Sequence, residues 1–136
     1  MIRKLATITL LVAFLLPLTK CTSLSQDGVP SDDYEYPFEN IADAVTEVRA
    51  GGDEAAGSII LGILTMLVFF LPAALIRLSL KTQSVIHIVI AGPSLWVLYH
   101  WTTVGDPQLG GILAMLSWSA LLCSAVMALW SGRVAA

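Results

Sequence analysis

The stretch that decides the fold is Ser58–Leu80, SIILGILTMLVFFLPAALIRLSL, in which nothing before Arg77 carries a charge. A helix rises about 1.5 Å per residue, so about 20 apolar residues cross a hydrocarbon core near 30 Å thick. This run is long enough. Two more follow it: residues 85–104, VIHIVIAGPSLWVLYHWTTV, and residues 107–130, PQLGGILAMLSWSALLCSAVMALW. Between Ser58 and Ala136 the only charged residues are Arg77, Lys81, Asp106 and Arg133. The expected spans are therefore 58–80, 85–104 and 107–130, followed by a short tail, 131–136. Asp53 is placed as an N-cap ahead of the first span. Asp106-Pro107 reads as N-cap and first helical residue of the third.

The whole composition agrees. Of 136 residues, 57% are hydrophobic and 12% charged, with a mean hydropathy of +0.81. Soluble domains average about 45–50% apolar and about a quarter charged. That balance excludes a soluble globular domain, a disordered regulator and a disulfide-rich secreted module. A formal charge of −3 without a basic stripe excludes a nucleic-acid partner.

Upstream of the spans lie two different segments. Arg3 and Lys4 precede an apolar stretch from Leu5 to Leu18 with Pro17 near its end. Fourteen residues suit a signal h-region, about 7–15 residues long, better than a span. Residues 1–25 thus read as a signal sequence with three open fates. It is cut after Ser25, retained as an anchor, or lipidated at Cys21, since Leu18-Thr19-Lys20-Cys21 resembles a bacterial lipobox. In that resemblance Lys20 stands where a small residue is usual. Residues 26–57 hold nine of the ten acidic side chains. They begin with turn chemistry at Pro30, Ser31, Asp32, Asp33 and Pro37. Phe38, Ile41, Val45 and Val48 then recur at helical spacing opposite Glu39, Asp43 and Glu47, which predicts an amphipathic helix over 38–50 ended by Gly51-Gly52.

Charge orients the spans. If the first runs outward to inward, Arg3, Lys4, Arg77, Lys81 and Arg133 all reach the cytoplasmic side, where basic residues near span ends collect. The acidic segment 26–57 is then extracytoplasmic and the C-terminus cytoplasmic. The expected architecture is an all-α integral membrane protein of the bacterial inner membrane, with three transmembrane helices in a small bundle. A signal-type segment and an acidic extracytoplasmic segment with one short helix precede them.

Candidate chemistry is sparse, and no catalytic residue, metal site or cofactor is expected. His87 and His100, the two histidines, lie 13 residues apart on one span, separated by about 20 Å and about 140° of rotation. One haem iron cannot take both, and a facing ligand would have to come from another subunit. Pro72 and Gly92-Pro93 break the first two spans at a similar depth. Each proline frees the carbonyl one turn earlier, Val68 and Val89 respectively. Paired breaks of this kind build ion or substrate sites in transporters. Small residues recur four apart at Ser58 and Gly62, at Gly110 and Ala114, and at Ala120, Ser124 and Ala128. Such rows let helices approach closely, within the chain or between subunits.

These features point to a non-enzymatic small subunit or accessory protein of a membrane complex, whose partners are the bilayer and other membrane subunits or further copies of itself. The alternatives are a transporter or channel component using the Pro72/Pro93 breaks, and a haem- or quinone-associated redox subunit using His87 or His100. The order of signal, acidic segment, apolar helix, basic loop and apolar helix resembles the small pilin subunits of conjugative secretion systems, and the third span departs from that plan.

Overall fold

The computed structural model describes residues 1–24, 30–50 and 55–131. Among the described residues, five helices and a small sheet form: α1 (Ile2–Ala13), β1 (Thr19–Leu24), β2 (Pro30–Glu35), α2 (Pro37–Ala50), α3 (Ala55–Ala74) with a 3-10 turn at Leu75–Arg77, α4 (Leu80–Thr103), β3 (Asp106–Pro107) and α5 (Leu109–Trp130). Three stretches are long and apolar enough to cross a membrane: Ala56–Arg77, Leu80–Thr103 and Leu109–Trp130. The expected trio of spans is present. The expected cleavage point after Ser25, the Gly51-Gly52 stop, the Asp53 cap and Arg133 lie outside the described residues.

Two boundaries move for local reasons. α4 starts at Leu80 rather than near Val85, because Ser79 caps it by accepting from the Thr82 N–H at 3.3 Å. The last helix starts at Leu109 with Gln108 as N-cap, so Asp106-Pro107 is not its opening. Those two residues are instead strand β3, the short edge of a sheet. An all-α chain is thereby corrected to a mostly helical one with a three-stranded antiparallel sheet, ordered β2-β1-β3. Thr19 faces Glu35 on one side and Pro107 on the other. Proline suits β3 because an edge residue need not donate to the ladder.

The signal-like segment is a structural helix here. Arg3 meets Ser124 at one end of α5, and Pro17 accepts from the Gly110 N–H at the other, at 3.0 Å. Fourteen positions separate Arg3 from Pro17 and Gly110 from Ser124, so α1 and its following turn cover the same depth as the Gly110–Ser124 part of α5, about 21 Å. Leu10 and Ala13 of α1 are fully buried with Ala91 and Leu98 of α4 and Ala114, Trp118 and Leu121 of α5. α3 adds Val68 and Phe69 to the same core. Phe14 sits at the exit of α1, 4.8 Å centroid to centroid from Phe70, 5.7 Å from Phe69 and 6.5 Å from Phe38. These edge-on and tilted contacts join α1 to both α2 and α3.

α2 lies along the first half of α3. Ala44 packs on Gly62, where an added Cβ would come within 2.9 Å of the Ala44 Cβ. The Asn40 amide donates to Thr65 Oγ1 at 3.4 Å. The Tyr36 N–H bonds Glu39 Oε2 at 2.9 Å and satisfies an orphan donor at the start of α2.

Candidate functional site

The proline breaks do different things. Pro72 is buried, whereas Gly92 and Pro93 are exposed on the outer surface of α4. The Val68 carbonyl that Pro72 frees accepts a hydrogen bond from the Trp118 indole N–H at 3.0 Å, with both groups buried. A side chain of α5 therefore satisfies the acceptor that the proline frees. The two breaks do not converge on one site.

The histidines are equally separate. His87 is buried on α4, edge-on to Trp118 with centroids 6.3 Å apart, and neither ring nitrogen has a partner among the described residues. His100 is exposed and stacks flat on Trp96 at 5.5 Å. Among the described residues, no group of three or more His, Cys, Asp or Glu side chains gathers to hold a metal ion.

The small-residue rows are largely used inside the chain. Gly110 faces the turn after α1, and a Cβ there would lie 2.6 Å from the Pro17 carbonyl oxygen. Ala114 is fully buried against the same core. Gly62 receives α2, and Ser58, one turn earlier, is half-buried. On α5, Ala120, Ser124 and Ala128 are half-buried. Ser124 is a polar anchor rather than a spacer, since its hydroxyl and carbonyl oxygens both accept from Arg3, at 3.2 and 3.0 Å.

Arg3 organises one end of the bundle. Its Nη2 also donates to Ser84 Oγ of α4 at 2.8 Å, so one guanidinium ties α1, α4 and α5 together. Its Nη1 is buried with no partner among the described residues. Beside it opens a cavity of about 920 Å³ between the start of α1, the turn after α3 and the end of α5. Arg77 and Lys81 flank this end from the exposed turn after α3 and the first turn of α4. In the sequence alone Arg3 reads as a topology signal. Its two serine partners lie 81 and 121 residues away, and no local pattern announces them.

The opposite end carries the sheet. Cys21 is half-buried in the central strand, facing Asp33 of β2, and Cys123 is exposed on α5; both are free. Lys20 and Asp32 form an ion pair at 2.8 Å on the same ladder. The hydrogen bond to Asp32 holds the Lys20 ammonium above its usual range. The bond from Lys20, and then one from Thr22, holds the Asp32 carboxyl below the ordinary carboxylate range. On the flank, an open apolar groove of about 400 Å³ runs between α2 and α3, bordered by Ile41, Val45, Val48, Ile59, Ile63 and Met66. Comparison with family models, with curated proteins and with solved structures finds no match to this chain.

Proposed function

We propose that the chain is a non-enzymatic small subunit or accessory protein of a bacterial inner-membrane assembly, with α1 kept as part of its bundle. The observation that carries this reading is the amphipathic helix α2. Its charged residues Glu39 and Asp43 leave it unsuited to hydrocarbon, yet Phe38, Val45 and Val48 on its apolar side stay 41%, 47% and 54% exposed. A helix with that pattern beside a membrane bundle offers a partner subunit both an apolar seam and an acidic rim.

Two further points support the details. Cutting after Ser25 would remove α1 and β1 together, and with them Leu10, Ala13 and the central strand of the sheet. Retention of α1 as a short fourth crossing fits that packing. Arg3, Lys4, Arg77 and Lys81 also gather at one end, opposite the sheet with Asp32, Asp33 and Asp106. By the bias of basic residues toward the cytoplasm, the Arg3 end is cytoplasmic and the sheet, with α2, extracytoplasmic.

Mild detergent extraction followed by native mass measurement tests the assembly reading. The expected result is a defined complex, either with another membrane protein or of several copies. A lone monomer under every mild condition overturns it.

A further inference from the structure

The geometry points to the cavity beside Arg3 as a binding site for the phosphate headgroup of an anionic phospholipid, an inference that rests on α1 remaining in the mature chain. The cavity holds about 920 Å³ and is lined by Arg3, Lys4, Gln83 and Ser124, with Leu80 and Met127 among its apolar walls. Two cationic side chains face it. Among the described residues, no Asp or Glu lines it.

Arg3 is positioned before any ligand arrives. Bonds to Ser84 and Ser124 use Nε and Nη2 and fix the plane of the guanidinium. Nη1 is left buried and without an acceptor among the described residues. With its donors bonded to serines or closed off from the cavity, the guanidinium acts on a phosphate through its charge at the cavity wall rather than through a direct bond from Nη1. Lys4, exposed one residue along, supplies a second charge without fixed geometry. Basic pockets between membrane helices favour anionic headgroups by this same combination of charge and confinement.

The volume and the walls select the lipid over the free anion. Inorganic phosphate would fill a small part of 920 Å³. Ile76, Leu80 and Met127 offer apolar surface continuous with the charged mouth, which suits a headgroup whose acyl chains run down the bundle.

The test uses the full chain reconstituted in vesicles of equal parts phosphatidylcholine and phosphatidylglycerol, released gently and weighed by native mass spectrometry. Full-length protein is expected to retain phosphatidylglycerol in preference to phosphatidylcholine. Lys4→Gln, which removes an exposed side chain, should weaken that preference about fivefold, the effect of one basic residue at an anionic surface. Lys81→Gln, outside the lining, should leave it largely intact. Equal retention of both lipids by a full-length, folded chain overturns the site. Inorganic phosphate that adds to the lipid-free protein and displaces phosphatidylglycerol assigns the cavity to the free anion and overturns the lipid. The same spectra give the intact mass. A chain lacking residues 1–25 overturns the premise about α1, an outcome distinct from a full-length chain without preference.

Discussion

The α1–α4–α5 cluster and the α2–α3 pair are built from similar helices and held in different ways. In the first, Leu10, Leu98, Trp118 and Leu121 are wholly buried and Arg3 ties all three helices at one end. In the second, Ala44 seats against Gly62 and Asn40 bonds Thr65 in an equally extensive contact that leaves an open apolar groove along one side. Interdigitated bulky side chains fill the first core, whereas small residues bring the second pair of helices close and leave the flanking apolar side chains uncovered. The difference teaches where this chain keeps its shape and where it has surface left for another molecule.

The hardest break in that comparison is the loss of α1. A chain beginning at Gln26 should fail to give a cooperative thermal transition in detergent, while full-length protein gives one. Leu10→Ala, a milder version, should cost about 2–5 kcal/mol in the α1–α4–α5 cluster. Circular dichroism melting measures both, and an unchanged transition in the truncated chain would show α1 to be dispensable.

Next in size is the link between the two regions. Trp118→Phe removes the donor to the Val68 carbonyl and should cost about 1–3 kcal/mol, the penalty of a buried acceptor left alone. Pro72→Ala restores a backbone N–H that can reach the same carbonyl. In that background the Trp118→Phe penalty should shrink to the packing difference alone. A double-mutant cycle with no coupling would show that the indole does not answer the proline.

A smaller effect separates the regions. Gly62→Leu drives a side chain into Ala44 and should displace α2 from α3. Hydrogen exchange of residues 38–50 should rise sharply while the amides around Leu98 and Trp118 keep their protection. Equal loss in both places would mean that the two regions form one cooperative unit.

The smallest effect lies in the sheet. Asp32 has a lowered pKa, so its contribution is present above the ordinary carboxylate range and is lost as pH falls through the depressed value. Lys20 has a raised pKa, so its contribution is present below the ordinary ammonium range and is lost as pH rises through the elevated value. Exchange protection of β1 and β2 should therefore be flat through neutral pH and fall at both extremes. Both groups are solvent-facing, so added salt should flatten the response. A dependence centred near neutrality would assign it to another group.

The spans were legible because hydrocarbon imposes one length on any helix that crosses it, and Ser58–Leu80 meets that length without a charge before Arg77. The freed Val68 carbonyl was legible too, since proline chemistry is local. Its partner was not, because Trp118 lies 50 residues further along. The sheet was hidden for a similar reason. Thr19–Leu24 reads as the end of a signal, and Asp106-Pro107 reads as a helix cap, until the antiparallel register brings Lys20 opposite Asp106. α1 has 12 residues, below the length that marks a span, and only its tertiary contacts identify it as core. The candidate site at Arg3 depends on the same distant pairings.

The contact between the first helix and the last also sets an order of assembly. The ribosome releases Arg3 long before Ser124, yet the two groups bond only with each other's help across 121 positions. Throughout synthesis of α2, α3 and α4 the first helix lacks its principal neighbour. Closing so long a loop is entropically slow, and its reward comes only at the last step. The nascent protein therefore waits, half-built, for its final helix. Insertion of α5 is the event that completes it, so a stalled or shortened product missing that helix would present α1 with its arginine held by Ser84 alone to whatever quality-control machinery surveys the membrane.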